Sequence, residues 1–195
     1  DFITIANDYV ADIIGRQHCG EDTTERQKLY DGYLQFRYKA NLPLYRQQYE
    51  LFGSYDLFSI KWNFDIAAYY ALWVNSYLMD KHLEVDDLRH ELRHSKFVVK
   101  ALERFAGLFL EAERKVTVSG DYFRNNLGQI SEGLGDVSFA HDIGTLTKQQ
   151  SETHSLEAFA KARARCFALL KRTASDSGRL GFADIVSGRA LAASD

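Results

Sequence analysis

His90-Glu91-Leu92-Arg93-His94 carries the most explicit chemical spacing in this chain. Two imidazoles one helical turn apart with a glutamate between them form the HExxH arrangement, in which both histidines bind zinc and the glutamate activates its water. At about 100° per residue, however, His90 lies roughly 160° around a helix from Leu88 and His94 about 120°. Both therefore point away from the apolar stripe that should face a core. Arg93 would also set a positive charge beside the dication. A solvated, charged helix face is the simpler reading, and a zinc hydrolase using His90, Glu91 and His94 is the lesser alternative. Glu91 to His94 is an ExxH unit as well, but a carboxylate-bridged di-iron bundle needs two such units on separate helices and two further glutamates. Only this helix offers one.

The second chemical stretch is FSIKWNFDIAAYYALWVNSY, residues 58–77. Trp62, Ile66, Tyr69, Tyr70, Trp73 and Tyr77 recur at the three-and-four spacing of one helix side. Such a stripe is more often core than ligand site. It also carries hydroxyls and indole N–H groups that need partners if buried, and rings with a few polar tips are how a pocket for a flat substrate is lined. Trp62, Tyr69, Tyr70 and Trp73 are the substrate-wall candidates on that reading. Other motifs are weaker. Gly133 and Gly135 are followed by Ser138 where a dinucleotide fingerprint needs a third glycine, and no serine occupies a nucleophile elbow. No catalytic residue is assigned. Lys161, Arg163 and Arg165 read as a wet helix surface.

The elements that must position these residues are all helical. Phe2, Ile5, Ala6, Tyr9, Val10, Ile13 and Ile14 keep helical spacing up to a turn between Gly15 and Gly20. Asp22 with Glu25 resembles a capping box and starts a second, tyrosine-rich segment with Leu29, Tyr30, Tyr33, Leu34, Tyr45 and Tyr49 as its expected buried residues. Pro43, the single proline, is expected to kink or interrupt it near Asn41, and Gly53 to end it. Asp56 caps the aromatic helix, which runs to about Asp80. Asp86 or Asp87 starts a fourth helix with Leu88, Leu92, Val99, Leu102 and Phe109 as its stripe. Phe97, Phe105 and Leu108 make it a strut buried from more than one side. From Thr117 to about Gln150 the periodicity fails amid scattered glycines, and a last helix spans about Ser151 to Thr173. Residues 174–195 are small and polar, and read as a flexible tail. The expectation is an all-α, irregular bundle of about five helices over residues 1–173, with a glycine-rich loop region.

Composition narrows the function classes. The 195 residues are 46% hydrophobic and 26% charged with a net charge of -3, so no broad attraction to nucleic acid is expected. No apolar run approaches the roughly 20 residues of a membrane span. Cys19 and Cys166 stand alone, without metal-ligand spacing, as expected of reduced thiols in a cytoplasmic protein. The chain opens on Asp1 and its one methionine is Met79. It is therefore expected to be part of a longer polypeptide.

DFITIANDYVADII, at the start, is similar to the segment that follows a proline-glycine-serine turn beside the flavin in the flavin-dependent halogenase-like family, the tryptophan halogenase-like FAD monooxygenases. LYDGYLQFRYKANLPLYRQQYELFGSYDLFSIKWNFDIAAYYALW resembles the C-terminal region of the same family: a tyrosine-rich helix, an LFG turn, then a Trp-x-x-Asp-x-x-x-Tyr-Tyr helix. The resemblance covers about the first half of the chain and implies that an FAD-binding α/β domain lies upstream in the same polypeptide. That domain would be the main holder of FAD and the chief partner, and the family's catalytic lysine would lie there too, so hydroxylation is as open as halogenation. This chain would be the helical cover on the side of a small aromatic substrate, inactive alone. On that reading the positive dipole end at Asp1, Phe2 and Ile3 is placed to stabilise negative charge on a reduced flavin or a bound anion. The alternative from another class is a self-contained helical binding or scaffold protein.

Overall fold

Nine stretches of periodic sequence become helices or helical turns in the computed structural model, which describes residues 2–120, 142 and 145–170. They are α1 (Phe2–His18), α2 (Thr24–Tyr45), a 3-10 turn (Tyr49–Gly53), α3 (Tyr55–Tyr69), a π turn (Tyr70–Val74), α4 (Asn75–Leu78), a second 3-10 turn (Lys81–Leu83), α5 (Val85–Val118) and α6 (Lys148–Leu169). No strand occurs among the described residues, and the fold is all-α with five main helices, as expected. Of the loop expected from Thr117 to about Gln150, residues 121–141, 143 and 144 lie outside the described residues, as do the expected tail from 174 and Asp1, while α5 runs on to Val118 and α6 begins at Lys148.

Local chemistry sets most of the boundaries. Gly20, at a φ of 80°, takes the left-handed turn after α1. The Thr24 amide donates to Asp22 Oδ1 at 2.9 Å where α2 begins. Pro43 does not interrupt α2, which continues to Tyr45. Its missing N–H frees only the Lys39 carbonyl, and Lys39 is exposed, so water can satisfy that group near a helix end. The left-handed Gln47, at a φ of 60°, then turns the chain. α6 starts at Lys148, ahead of the expected Ser151, because Thr147 and Gln150 make a full capping box: the Gln150 amide donates to Thr147 Oγ1 at 3.2 Å and the Thr147 amide to Gln150 Oε1 at 2.9 Å.

Two aromatic clusters hold the bundle. Phe64 of α3 lies 4.3 Å from Phe105 and 5.3 Å from Phe109 on α5, and 4.9 Å from Phe159 on α6, ring centre to ring centre. α5 is the expected strut, with Leu88, Leu102, Phe105 and Phe109 buried. The second cluster joins α1 to α2 and the π turn. Tyr9 stacks on Tyr30 at 3.8 Å, Tyr33 meets Phe36 edge-on at 6.1 Å, and Phe36 meets Trp73 at 5.4 Å. A polar knot secures α1 beside it. Tyr30 Oη donates to Asp12 at 2.6 Å, and Arg26 Nη1 donates to Tyr30 Oη at 2.9 Å and to the Leu83 carbonyl at 3.0 Å.

The aromatic stripe of residues 62–77 is only in part the core face of its helix: Trp73 belongs to the core, and Tyr69 and Tyr77 pack against it. The buried side of α3 is Leu57, Ile60, Lys61, Phe64, Ala67 and Ala68. Small alanines there admit the neighbouring helices closely while Phe64 fills the gap. Of the stripe's rings, Trp73 is buried at 2% exposure, Tyr69, Tyr70 and Tyr77 are half-buried, and Trp62 is 40% exposed.

Candidate functional site

Arg37 is the residue around which a site forms. It sits on α2 in the buried row Tyr30, Tyr33, Arg37, Ala40, Leu44 and is 2% exposed. That row has the three-and-four spacing of a core face, so the backbone carries a guanidinium inward. Its guanidinium carbon lies over rings: Cζ is 4.6 Å from the centre of Trp73, 5.6 Å from Phe2 and 5.9 Å from Tyr33. Contacts with rings favour the charge but do not replace acceptors for its N–H groups. Nε and Nη1 find no hydrogen-bond partner among the described residues. An unmade hydrogen bond in a buried place costs about 1–3 kcal/mol, and more for a charged group.

Two cavities flank this side chain. One of about 240 Å³ is walled by Thr4 and Ile5 of α1, Arg37, and then Tyr69, Trp73, Val74, Tyr77 and Leu78. The other, about 350 Å³, is walled by Phe2, Ile3, Arg37, Asn41, Tyr45, Tyr69 and Trp73. Arg37, Tyr69 and Trp73 belong to both, so the cavities meet at the same cation and the same two rings. The π turn shapes this meeting point. The Asn75 amide reaches back five residues to the Tyr70 carbonyl, and the widened turn holds Trp73 with 2% exposure against Phe36 and Arg37. Wide turns of this kind inside α-helices are frequent at functional sites.

Electrostatics in the walls are one-sided. Among the described residues lining the two cavities, Arg37 is the one charged side chain and none is acidic. Burial pushes the Arg37 guanidinium below its ordinary range, opposed by the neighbouring Tyr33, Tyr9 and Glu91. Behind it, Tyr9 and Tyr33 are raised above the ordinary tyrosine range, chiefly by burial; Tyr33 is raised further by the charge of Glu91. Both phenols are therefore neutral hydrogen-bonding groups at any physiological pH.

The residues expected from sequence divide between this site and other places. Phe2 and Ile3 line the larger cavity, Ile3 at 76% exposure, while Asp1 lies outside the described residues. Tyr69 and Trp73 line both cavities. Tyr70 lines neither and packs edge-on against Tyr69 at 5.4 Å. Trp62 faces outward beside Phe58, 6.0 Å away. On α5, His90 is exposed and its ring centre is 4.6 Å from that of His94, whose Nδ1 lies 2.8 Å from the His90 carbonyl. Glu91 instead accepts from Ser76 Oγ at 2.8 Å. Among the described residues no group of three His, Cys, Asp or Glu side chains is placed to hold a metal ion.

Arg37 was not singled out from the sequence. The available signal was a charged residue continuing the Tyr30, Tyr33, Ala40, Leu44 row, a position where a surface cation does not belong. Lys61 shows the same signal in the row Leu57, Lys61, Phe64, Ala68 and is 1% exposed, ion-paired to Asp65 one turn on. Lys61 is closed off from both cavities, whereas Arg37 opens onto them. No family model, curated protein or solved structure matches the chain.

Proposed function

We propose that this chain is the helical, substrate-side cover of an FAD-dependent monooxygenase or halogenase-like oxidoreductase that acts on a small aromatic substrate. FAD is held mainly by an upstream domain of the same polypeptide, and the chain alone has no catalytic residue and no turnover. The observation that carries this reading is the convergence of Phe2, Ile3, Tyr69 and Trp73 on one pair of cavities. Those are residues that the resemblance sets beside the flavin and residues of the aromatic helix, brought together by the packing of α1 against α2 and the π turn. Cavities of about 240 and 350 Å³ stand at or below the low end of ligand pockets, about 300–1,000 Å³. They suit one or two rings and not a dinucleotide. Ile3, Tyr45, Tyr49 and Phe52 are exposed, a surface that an adjoining domain would cover.

Reading the coding DNA upstream of Asp1 tests the proposal. A continuous frame encoding a strand, a glycine-rich nucleotide-binding turn and a helix is the expected result. A frame that encodes no such unit overturns it. The second reading, a self-contained helical binding protein, draws on the closed Phe64, Phe105, Phe109 and Phe159 core, and it would then take first place.

A further inference from the structure

We infer that the Arg37 cleft is a binding site for a small planar acid, an aromatic ring bearing a carboxylate. This deepens the substrate side of the flavin reading without depending on it, since every group it uses belongs to this chain.

The argument begins with charge. Arg37 is a cation on the wall of both cavities, with Nε and Nη1 buried and unpaired among the described residues and Glu91 as an acidic neighbour outside the cavity lining, and a cation so placed favours an anion in the cleft. Among the described residues, the cavity walls supply hydroxyls, amide and apolar groups but no carboxylate. A carboxylate is the charged acceptor that a guanidinium binds through charge-assisted hydrogen bonds. Shape supplies the second half. The rings of Tyr69 and Trp73 stand beside the cation in both cavities, with Ile5, Val74 and Leu78 completing an apolar wall. A flat apolar body has somewhere to lie only when its acid group is directed at Arg37. An inorganic anion would leave those walls unfilled, and a neutral ring would leave the guanidinium unsatisfied.

Isothermal titration calorimetry on the unmodified chain with benzoate, benzamide and acetate is the test. Benzoate and benzamide share a ring and differ in charge, while acetate keeps the charge and lacks the ring. Benzoate is expected to bind at least about tenfold more tightly than either, the least that a charge-assisted hydrogen bond or a ring contact supplies. Trp62→Phe leaves Trp73 as the sole tryptophan of the two in the chain, and quenching of its fluorescence by benzoate places the ligand. Arg37→Gln is expected to abolish the preference for benzoate over benzamide. Equal binding of benzoate and benzamide overturns the inference, as does no benzoate binding at millimolar concentration, because Arg37 would then be satisfied within the chain. If Arg37→Gln does not fold, the comparison on the unmodified chain still decides. A negative result removes the acid site and leaves the flavin reading to the upstream frame; a positive one leaves that frame equally open.

Discussion

Replacing Asp65 by Asn should damage this protein far more than replacing its partner Lys61 by Met, although each change breaks the same ion pair. Lys61 Nζ is paired with the Asp65 carboxylate; the lysine side chain is 1% exposed and the aspartate side chain 28%. In Asp65→Asn the ammonium stays in the interior beside Phe109 with its counter-charge gone, a loss of about 3–5 kcal/mol. With the stability of natural domains at about 5–15 kcal/mol, this removes a large part of the total. In Lys61→Met the buried charge goes, a flexible apolar side chain of similar length fills the space, and the partly exposed Asp65 turns to water. That change should fall within about 1 kcal/mol of the native chain, in either direction. The direction of the pKa shifts agrees. Burial lowers Lys61 and raises Asp65, each toward its neutral form, against the attraction between them. Urea unfolding followed by circular dichroism measures both variants; at about 2–3 kcal/mol per molar, Asp65→Asn should lower the midpoint by roughly 1–2 M with little change in slope. The pH dependence adds a second reading. With Lys61 below its ordinary value of 10.5, the folded state binds fewer protons than the unfolded one just below that pH, so stability rises with pH there. Asp65→Asn removes the charge that opposes this shift. Its deficit should therefore shrink as pH is raised from 7 toward 10. Equal losses in the two variants, or a deficit that does not shrink, would refute the reasoning by showing that Lys61 is solvated in some other way.

Phe64→Ala should cost about 3–5 kcal/mol, toward the upper end because three ring contacts on two helices are lost with the burial; chemical denaturation checks it. Tyr30 is pushed up to about 12, first by burial and then by its hydrogen bond to Asp12, with Arg26 opposing. Its contribution is therefore complete below about pH 10, the ordinary tyrosine value, and is lost as pH rises through about 12. Tyr30→Phe should flatten that part of the alkaline unfolding profile and cost about 1–2 kcal/mol at neutral pH. Cys19 is exposed, whereas Cys166 is buried and its thiol is raised to about 12. A thiol reagent such as Ellman's should titrate one group in the folded chain and two in denaturant.

The pattern of apolar residues was enough to determine that this chain is helical and where its main helices run. The start near Asp22, the stop before Gly20 and the strut stripe of Leu88, Leu102 and Phe109 are local properties, set by caps, turns and the 3.6-residue period, whereas Asp56 does not cap the aromatic helix but sits in its first turn after Ser54. The predicted outward direction of His90 followed from the same angular arithmetic. Which side of the aromatic helix is inside was decided only by packing. The rings of residues 62–77 hold helical spacing as well as Leu57, Phe64 and Ala68 do, but only the second row carries alanines small enough to let α5 and α6 approach. Tertiary structure also decided that α2 passes through Pro43, that the helix widens at Tyr70–Val74, and that Arg37 and Lys61 lie inside. The inward placement of Arg37 and Lys61 depends on neighbours distant in the chain, the ring of Trp73 over Arg37 and that of Phe109 beside Lys61. A period can place a residue on a row, but whether that row meets water, another helix or a cavity depends on the other helices.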